Sequence, residues 1–476
     1  MNFVQLVYSK LGFEFMIRCH LDFEFTTMKL PNPSIQNIIA TALSALILSV
    51  GMLSMSPALS AQAVSVTPWV ATWQASPQPV WGPDFLFPAN VPAELFNQTV
   101  RQVARVSLGG PRLRIVLSNT YGRQPLVVGK ATVARPQEGD EGAVVADSVR
   151  MVTFGGHATA TIPPGASLVS DPVALSMAVL EQLVVSLYLP QRTPLQTFHW
   201  DGRQTAWIVP GDQTAVAALK KQDSEAQVTT ARALLSGIQV EAGEAAGAVV
   251  VMGDSITDGA EASLDQDHRW TDFLAARLAP RGVAVVNAGI SGARLLSDGM
   301  GVNALARLNN DVLTQPGVES VIVMLGINDI SWPGTAFARE AQRPTLEALT
   351  AGYRQLIAQG HSRGIRVIGA TLTPFEGALP GTPLADYYHP DKDALRRQVN
   401  DWIRHSGAFD AVIDLDAHLR NPQHPARIDS RYDSGDHLHP GDEGNRAMAD
   451  AVDLEVLLPG GAELDTEFTR NEGVKG

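Results

Sequence analysis

The sequence predicts an α/β domain with a parallel five-stranded sheet, preceded by an all-β, jelly-roll-like domain. From about residue 69 to residue 240, short alternating runs are separated by Gly- and Pro-containing turns and show no convincing helical period, which is typical of a β sandwich. From residue 246 onward, short apolar runs alternate with helical stretches, which predicts a parallel sheet covered by helices on both faces. A stretch rich in Gly and Ala, 237–247, marks the predicted boundary between the two architectures.

Composition and charge indicate a globular protein and exclude some classes of binding partner. Of the 476 residues, 45% are hydrophobic and 18% are charged, a balance expected of folded domains. The formal net charge is −13 at pH 7. Nucleic acids and anionic membranes attract basic surfaces, so we expect neither of them as a partner.

The first 63 residues have the features of a segment that is removed from the mature protein. An apolar run at 38–53 precedes the small-x-small pattern Ala-Gln-Ala at 61–63. We interpret 28–63 as a secretory signal peptide cleaved after Ala63, and 1–27 as an over-called start. The predicted location is therefore secreted or periplasmic, with no stable membrane partner after cleavage. A membrane span needs roughly 20 apolar residues, so a retained anchor is the less favoured alternative.

The cysteine content excludes several kinds of chemistry. The chain has a single cysteine, Cys19, which lies in the stretch that precedes the predicted signal peptide. The mature protein is then expected to contain none. Disulfides, thiol catalysis and thiolate metal sites are excluded on that interpretation.

The predicted β domain spans 64–240. Residues 112–117 alternate with period two after a Gly-Gly-Pro break at 109–111, and 99–107 would form the other arm of a hairpin. Another strand is predicted at 184–189. Turn residues predict two further breaks, at 161–167 and 209–214.

The predicted α/β domain spans 246–458, and a polar tail follows at 459–476. Its buried strands are predicted at 248–252, 283–286, 320–325, 365–370 and 411–413. Its helices are predicted at 270–278, 302–313, 346–357, 395–404 and 443–456.

The sequence GHSRG at 360–364 matches the G-x-S-x-G signature of serine esterases, but its context is wrong. A nucleophile elbow follows a strand and opens a helix. Here the predicted helix 346–357 precedes the motif and the predicted strand 365–370 follows it. The motif is therefore a helix-to-strand turn at the amino ends of the strands, whereas ligands bind outside the carboxyl ends. We predict that Ser362 is an ordinary loop residue.

Four loops at the opposite, carboxyl edge of the predicted sheet contain reactive residue types. Ser255 follows the first strand in GDSITDG, Gly292 follows the second in NAGISG, and Asn328 follows the third in LGINDI. After the fifth strand, DHLHP contains Asp436 and His439, three residues apart. Ligands of parallel sheets bind at this edge, so we expect these residues to converge.

Together these residues supply what ester hydrolysis requires. His439 could remove the proton of the Ser255 hydroxyl, and Asp436 would hold the imidazole in the correct tautomer. The charge that develops on the carbonyl oxygen needs fixed donors. The backbone amides of Ser255 and Gly292 and the side-chain NH₂ of Asn328 could supply three of them.

The four blocks, in this order, resemble those of the SGNH/GDSL hydrolase family. The resemblance covers about 246–456, and its specificity comes from the coincidence of all four motifs. It implies a flavodoxin-like three-layer fold and a serine mechanism without metal or other cofactor. Ser255 is then the nucleophile and first oxyanion donor, Gly292 and Asn328 are the other donors, and Asp436 and His439 complete the triad. RLRIVLSNTYG and TFHWDGRQTAW in the N-terminal half are similar to the β domain of a secreted, carbohydrate-esterase-like subgroup.

Several neighbours offer alternatives to these assignments. Asp433 or Asp442 could orient the imidazole in place of Asp436, although we favour Asp436. His437 adjoins Asp436 with too little chain between them to face it. The same acidic and imidazole residues could suggest zinc, but no second His-x₃-His pair or thiolate lies nearby, so no metal is predicted. Asp329 is expected to cap a helix.

Aromatic side chains at the same edge are candidates for substrate binding. They could stack on a sugar or an acyl group, or pack a loop core, and the sequence favours neither. The candidates are Trp332, Phe375, Tyr387 and Tyr388. His199 is a further candidate. It belongs to a polar group with Asp201, Arg203 and Gln204, and for this group we favour a role in anchoring the two domains to each other.

These observations predict a secreted serine esterase that removes short acyl groups, including acetyl, from a carbohydrate through an acyl-enzyme on Ser255. The expected partner is a small-molecule or polysaccharide ester; the sequence does not indicate an oligomeric state. One alternative is a lipase or lysophospholipase, which would need a broad apolar groove. Another is a glycan-binding protein whose hydrolase half is inactive.

Overall fold

The computed structural model describes residues 68–221, 225–243 and 246–458. The predicted signal peptide, the over-called start with Cys19 and the polar tail lie outside these residues. Within them, no helix has the length and the apolar character that are needed to cross a membrane.

Two antiparallel sheets form most of the N-terminal region. The first has the strand order β1-β17-β5-β10, with β1 Trp69–Gln74, β17 Leu235–Glu241, β5 Leu113–Ser118 and β10 Ser167–Val169. The second has the order β15-β14-β4-β11-β7-β8, with β15 Gln227–Thr229, β14 Ala206–Pro210, β4 Gln98–Arg105, β11 Gln182–Leu189, β7 Lys130–Ala134 and β8 Arg150–Val152. Inward side chains of both sheets, including Ile115 and Val185, share one apolar core. This is the predicted jelly-roll-like sandwich.

Three smaller antiparallel sheets complete this region. They pair β12 Thr193–Pro194 with β3 Glu94–Leu95, β6 Leu126–Val128 with β9 Ala160–Ile162, and β13 Thr197–His199 with both β16 Arg232–Ala233 and β2 Gln78–Pro79. A 3₁₀ turn lies at Ala146–Ser148.

The predicted hairpin between 99–107 and 112–117 is wrong. Both strands exist, but β4 pairs with β11 and β14, while β5 pairs with β17 and β10 in the other sheet. The Gly-Gly-Pro segment at 109–111 carries the chain from the sheet of β4 to the sheet of β5. A Cβ atom at Gly109 would lie 2.3 Å from the Met177 carbonyl oxygen, and one at Gly110 would lie 2.2 Å from that of Glu241. The glycines therefore permit close backbone packing at a crossover instead of closing a tight turn.

The C-terminal region contains a five-stranded parallel sheet in the order β19-β18-β20-β21-β22. Its strands are β18 Gly247–Gly253, β19 Val283–Gly289, β20 Val318–Met324, β21 Arg366–Ala370 and β22 Ala411–Ile413. Numbered along this region, the order is 2-1-3-4-5, that of flavodoxin-like folds. Every residue of β18 is buried, as expected of a central strand covered on both faces.

Helices cover both faces of this sheet and confirm the predicted three-layer α/β fold. They are α1 Ser255–Asp258, α2 Trp270–Leu278, α3 Ala304–Leu308, α4 Ile327–Ser331, α5 Leu346–His361, α6 Pro390–His405, α7 Leu415–Leu419 and α8 Asp442–Asp450. A π-helical turn, Asn309–Leu313, continues α3, and 3₁₀ turns lie at Ala279–Arg281, Ala385–Tyr387 and Leu454–Leu457. Leu349 and Val399 pack on one face of the sheet, and Leu274 and Met448 on the other.

The two described regions belong to one compact unit and pack against each other. The Ala71 amide donates to the Pro316 carbonyl at 2.9 Å, and the Val285 amide donates to Ser107 Oγ at 3.1 Å. Part of the predicted boundary, 237–241, belongs to β17. The architecture changes between the end of β17 and the start of β18; the domain limits 64–240 and 246–458 stay predictions.

The GHSRG motif lies where the sequence predicts. Helix α5 ends at His361, Ser362 caps it, and β21 begins at Arg366. The Ser362 hydroxyl is exposed and donates to the Gln359 carbonyl at 2.7 Å. Ser362 thus lies at the amino edge of the sheet, away from the edge to which strand β18 delivers Ser255.

Candidate active site

Ser255 lies at the start of the short helix α1, directly beyond β18. The Asp254 side chain begins this helix by accepting a hydrogen bond from the Ile256 amide at 3.0 Å. Gly259 ends it with a φ of 101°, a left-handed conformation suited to glycine. Ser255 is only partly buried, so its hydroxyl remains accessible at the carboxyl edge of the sheet.

Ser255, His439 and Asp436 form a hydrogen-bonded triad. The distance from Ser255 Oγ to His439 Nε2 is 2.8 Å, and the distance from His439 Nδ1 to Asp436 Oδ2 is 2.5 Å. Asp436 Oδ1 also accepts the backbone amides of Leu438 and His439 at 2.9 and 2.8 Å. With Nδ1–H directed to the carboxylate, Nε2 can accept the serine proton.

The surroundings of the triad tune its charges. Burial has the largest effect on the pKa of His439 and lowers it, but the hydrogen bond and the negative charge of Asp436 outweigh burial, so the pKa is raised. For Asp436 the largest effect is again burial, which raises the pKa, yet the bonds and charge from His439 and the backbone amides hold it well below its usual range. Asp436 therefore stays ionised beside an imidazole that readily accepts a proton.

The alternative residues near the triad have other partners. His437 Nδ1 lies 2.5 Å from Asp433 Oδ2, and this second acid–imidazole pair does not include Asp436. Asp442 Oδ2 lies 2.8 Å from His268 Nδ1 and accepts the Ser263 hydroxyl at 2.6 Å. Among residues 68–221, 225–243 and 246–458, no three His, Cys, Asp or Glu side chains are grouped so that they could hold a metal ion.

Asn328 lies in the first turn of α4, directly after β20, and Gly292 lies in the loop after β19, so both follow strands that pair with β18. Asn328 Nδ2 donates to the Ala293 carbonyl at 3.0 Å, which leaves one N–H of the carboxamide free to donate elsewhere. Within the described residues, no acceptor is in hydrogen-bonding position for the backbone N–H of Ser255 or of Gly292. These three N–H groups therefore have the hydrogen-bonding capacity that the predicted oxyanion role requires.

The position of Gly292 requires glycine. Its φ is +70°, and a Cβ atom there would lie 2.7 Å from Met300 Sδ and 2.8 Å from Trp332 Cζ2. The loop is tied to the end of β18 because the Ile290 amide donates to the Gly253 carbonyl at 3.2 Å. Any larger residue would displace the loop and its N–H from the neighbourhood of Ser255.

Comparison with known proteins assigns this region to a family. Residues 249–452 match the family model described as GDSL-like Lipase/Acylhydrolase. This region is a GDSL-like lipase/acylhydrolase domain. The protein is accordingly a carboxylic ester hydrolase. A comparison with curated proteins found no match.

Solved structures similar to this chain include other GDSL-type and esterase proteins. An aryl esterase from M. smegmatis is 21% identical, with a TM-score of 0.36, and the match covers 45% of this chain and 100% of that one. The acetyl xylan esterase AlAXEase is 22% identical, with a TM-score of 0.30 and coverage of 43% and 96%. A GDSL-like lipase from Bacteroides thetaiotaomicron is 18% identical, with a TM-score of 0.32 and coverage of 44% and 87%.

Tyr387, a candidate for substrate binding, lies inside the GDSL-like domain and orients Asn328. Its side chain is 2% exposed, and its hydroxyl donates to Asn328 Oδ1 at 2.8 Å. This bond directs the carboxamide NH₂ away from Tyr387, towards the Ala293 carbonyl and the space beside it. Sequence analysis could not identify this role, because the two residues are 59 positions apart and no motif links them.

The other aromatic candidates mostly fill a loop core. Trp332 and Phe375 are 3% and 0% exposed, so neither presents an open face to a substrate. Trp332 instead stacks on Phe337, with ring centroids 4.3 Å apart. Tyr388 is half-buried and packs edge-on against Phe375. Of the four aromatics, Tyr388 alone retains an accessible surface.

His199 is also not placed to bind a substrate. It is 5% exposed, and its Nε2 lies 2.9 Å from Asp258 Oδ1, at the end of α1. Nearby, Gln204 Nε2 donates to Asp267 Oδ1 at 2.7 Å, and the Arg203 guanidinium donates to the Ala262 carbonyl. This polar group therefore anchors the β region to the GDSL-like domain.

Two buried acids next to the proposed catalytic residues, Asp254 and Asp329, accept hydrogen bonds from backbone amides. Asp329 is 3% exposed and accepts the amides of Leu295 and Leu296 at 2.7 and 2.9 Å, so it fixes the segment that follows Gly292 instead of capping α4. Burial raises its pKa to about 6 and that of Asp254 to about 7. Neither acid contacts the Ser255 hydroxyl.

The triad predicts a specific pH dependence. The neutral imidazole of His439 is the base, so kcat/KM should rise with pH through one ionisation whose midpoint lies above the usual histidine value of 6.5, because the pKa of His439 is raised. In Asp436→Asn the midpoint should fall, and turnover should drop by about 10⁴-fold because the tautomer is wrong. The pH–rate profiles of both proteins on p-nitrophenyl acetate test this. A flat wild-type profile from about pH 5 to pH 8 would exclude His439 as the base.

The contact between Tyr387 and Asn328 predicts a second effect. Tyr387→Phe removes the bond to Asn328 Oδ1 and leaves the carboxamide free to turn, so kcat should fall about tenfold, equivalent to about 1.4 kcal/mol, with little change in KM. Tyr388→Phe, which removes a hydroxyl from the adjacent residue, is the matched control and should keep its kcat. Steady-state kinetics distinguish the two variants. Equal kcat values for Tyr387→Phe and wild type would show that the bond does not orient Asn328.

Proposed function

We propose that the protein hydrolyses short-chain acyl esters, including acetyl esters of a carbohydrate, through an acyl-enzyme on Ser255. The observation that carries this proposal is the 2.8 Å contact between Ser255 Oγ and His439 Nε2, with Asp436 behind the imidazole. A serine hydroxyl becomes a competent nucleophile when a base accepts its proton. The paired triad also argues against a purely glycan-binding role.

In the proposed mechanism, Ser255 Oγ attacks the carbonyl carbon while its proton passes to His439 Nε2. The negative charge on the carbonyl oxygen is stabilised by the N–H groups of Ser255 and Gly292 and by the free N–H of Asn328. As the tetrahedral intermediate collapses, the imidazolium protonates the departing alcohol. A water molecule then enters, loses a proton to the same imidazole and releases the acid.

The packing beside the oxyanion donors supports a short acyl group. Met300, Trp332 and Leu438 belong to an apolar cluster next to Gly292, and each is 3% exposed. These side chains belong to one packed cluster and are themselves almost completely covered. A long acyl chain would have to displace them, whereas an acetyl group needs little space.

Partly buried aromatic residues around the same cluster support a carbohydrate as the alcohol portion. Trp200 and Tyr388 are each only partly buried while packing on the cluster. Such rings can stack on the apolar face of a sugar. Export through the predicted signal peptide 28–63 would place the enzyme where polysaccharides occur, and is part of this proposal.

A comparison of two serine variants tests the mechanism. Ser255→Ala should abolish nearly all turnover, and a serine-directed phosphonate should label wild type once and this variant not at all. Ser362→Ala is the matched control: it removes an exposed hydroxyl at the opposite edge, so stability should change by about 0.5 kcal/mol or less and turnover by a few-fold at most. Intact-mass spectrometry and kinetics provide the measurements. An active, labelled Ser255→Ala beside an inactive Ser362→Ala would reverse the assignment.

A chain-length series tests the substrate. With p-nitrophenyl acetate, butyrate and palmitate, kcat/KM should fall by at least about tenfold between butyrate and palmitate, because forcing extra methylenes into a packed core costs about 1–3 kcal/mol. Acetate release from acetylated xylan should accompany activity on the acetate ester. Ser255→Ala serves as the blank for spontaneous hydrolysis. A preference for palmitate or a lysophospholipid would indicate a lipase-type enzyme instead.

A further inference from the structure

A buried histidine of the β region contacts the GDSL-like domain at the end of α1, the helix that begins with Ser255. His199 ends strand β13, and its ring lies between two acceptors: the Ser76 carbonyl, 3.1 Å from Nδ1, and Asp258 Oδ1, 2.9 Å from Nε2. A carbonyl oxygen cannot donate, so Nδ1–H donates to it, and the Asp258 carboxylate accepts a second hydrogen bond from Nε2–H. The imidazole is therefore doubly protonated and paired with Asp258.

The charges around this pair agree with that protonation. The side chains of His199 and Asp258 are 6% and 2% exposed. Burial has the largest effect on the pKa of His199 and lowers it, but the charge and hydrogen bond of Asp258 outweigh burial and raise it. Arg269 also lies close enough to oppose the protonated form, and further charged groups nearby are Arg232, Asp201 and Asp311.

Asp258 connects this histidine to both halves of the proposed oxyanion site. It is the last residue of α1, the four-residue helix that begins with Ser255. Its other oxygen, Oδ2, accepts the backbone amide of Ser291 at 2.9 Å and the Ser291 hydroxyl at 2.8 Å. Ser291 immediately precedes Gly292. One carboxylate thus ties the helix of the nucleophile to the loop of the second donor.

We propose that His199 is a positioning residue for the oxyanion site: it holds Asp258, and through Asp258 and Ser291 it fixes the Gly292 N–H relative to Ser255. This inference rests on the proposed function, because it requires Ser255 and Gly292 to act as assigned there. It gives the β region a part in catalysis, since the histidine that completes the chain of contacts comes from β13.

The proposed effect follows from the demands of the transition state. Oxyanion donors accelerate a reaction when they are already oriented towards the developing charge. Without His199, the buried Asp258 side chain loses the one ion pair that it forms within the described part of the chain, and it would turn towards other donors or admit water. Either change frees the Ser291 amide and the peptide unit of Gly292. A displacement of about 1 Å at such a position can reduce turnover by about 10²-fold.

The primary experiment compares His199→Ala and His199→Gln with wild type on p-nitrophenyl acetate. Active sites are first titrated with a serine-directed phosphonate, so that kcat refers to folded enzyme. We expect kcat to fall by about 10- to 100-fold in His199→Ala, with KM within about twofold. His199→Gln, which can still donate one hydrogen bond to Asp258, should recover part of the loss. The rate constant of phosphonylation should fall in parallel, because that reaction also develops charge on oxygen.

His361→Gln is the matched control. His361 also pairs with an aspartate, Asp410, at 2.9 Å, but it lies at the amino edge of the sheet. Its kcat should equal that of wild type. A folded, titratable His199→Ala with unchanged kcat would overturn the inference, as would a change confined to KM.

A second variant covers the case in which His199→Ala does not fold. Ser291→Ala removes only the hydroxyl bond to Asp258 and leaves the buried pair intact. Its kcat should fall by about three- to tenfold without loss of thermal stability, a smaller effect than loss of a whole donor. Wild-type kcat in Ser291→Ala would refute the coupling.

The failure of this inference differs from the failure of the proposed function. If turnover and labelling persist in Ser255→Ala, Ser255 is not the nucleophile, and the proposed mechanism is wrong. An inactive Ser255→Ala beside fully active His199→Ala and Ser291→Ala proteins would retain the esterase mechanism and reject only the positioning role.

Discussion

The geometry of the proposed site depends on one constraint, the parallel pairing of β18 with β19 on one side and β20 on the other. Parallel strands end at the same edge, and neighbouring strands lie about 4.8 Å apart. Gly253 is in register with Gly289 and with Met324, so the chain leaves all three strands side by side. Ser255, Gly292 and Asn328 therefore start close together, and short loops suffice to complete their approach.

His439 reaches this edge by a different route, because it follows no strand directly. It lies in the loop before α8, and α8 is held against α2 by a hydrogen bond from the Trp270 amide to Asn445 Oδ1 at 2.9 Å. Met448 on α8 and Leu274 on α2 share the apolar core of that layer. The packing of one helix on another thus places the imidazole over a serine that is 184 positions earlier in the chain.

Buried carboxylates hold the loops of the site through hydrogen bonds to backbone amides. Asp254 starts α1, Asp258 holds Ser291, and Asp329 holds the segment after Gly292. Each of these acids accepts backbone amides in a buried setting, where hydrogen bonds are stronger and an unpaired group is costly. The β region adds a side-chain-to-backbone contact of the opposite direction: Gln78 Nε2 donates to the carbonyl of Met300, whose side chain lies beside Gly292, at 2.8 Å. Trp200 of the β region also packs against the apolar cluster that contains Met300 and Trp332.

The sequence by itself determined the features that depend on neighbouring residues. Hydrophobic periodicity identified the five strands and the longer helices of the α/β region, but not the short helices α1, α4 and α7. The order of helix and strand around Ser362 excluded the GHSRG motif as an elbow. Short motifs placed Ser255, Asp436 and His439 at the correct edge, because the edge follows from strand direction alone. The spacing of three residues between Asp436 and His439 also sufficed to favour their pairing over that with His437.

Tertiary structure alone decided which distant residues meet. The alternation of residues in β4 and β5 indicated two strands but not their partners, because either strand could pair with any strand of suitable length. In the structure the chain crosses from one sheet to the other between them, so they do not pair. Tyr387 became the support of Asn328, and His199 the partner of Asp258, although neither pair shares a motif. The reason is physical: an aromatic ring or an imidazole has the same local signature in the sequence whether it contacts a substrate, a core or a carboxylate, and only the folded chain supplies the partner that distinguishes these roles.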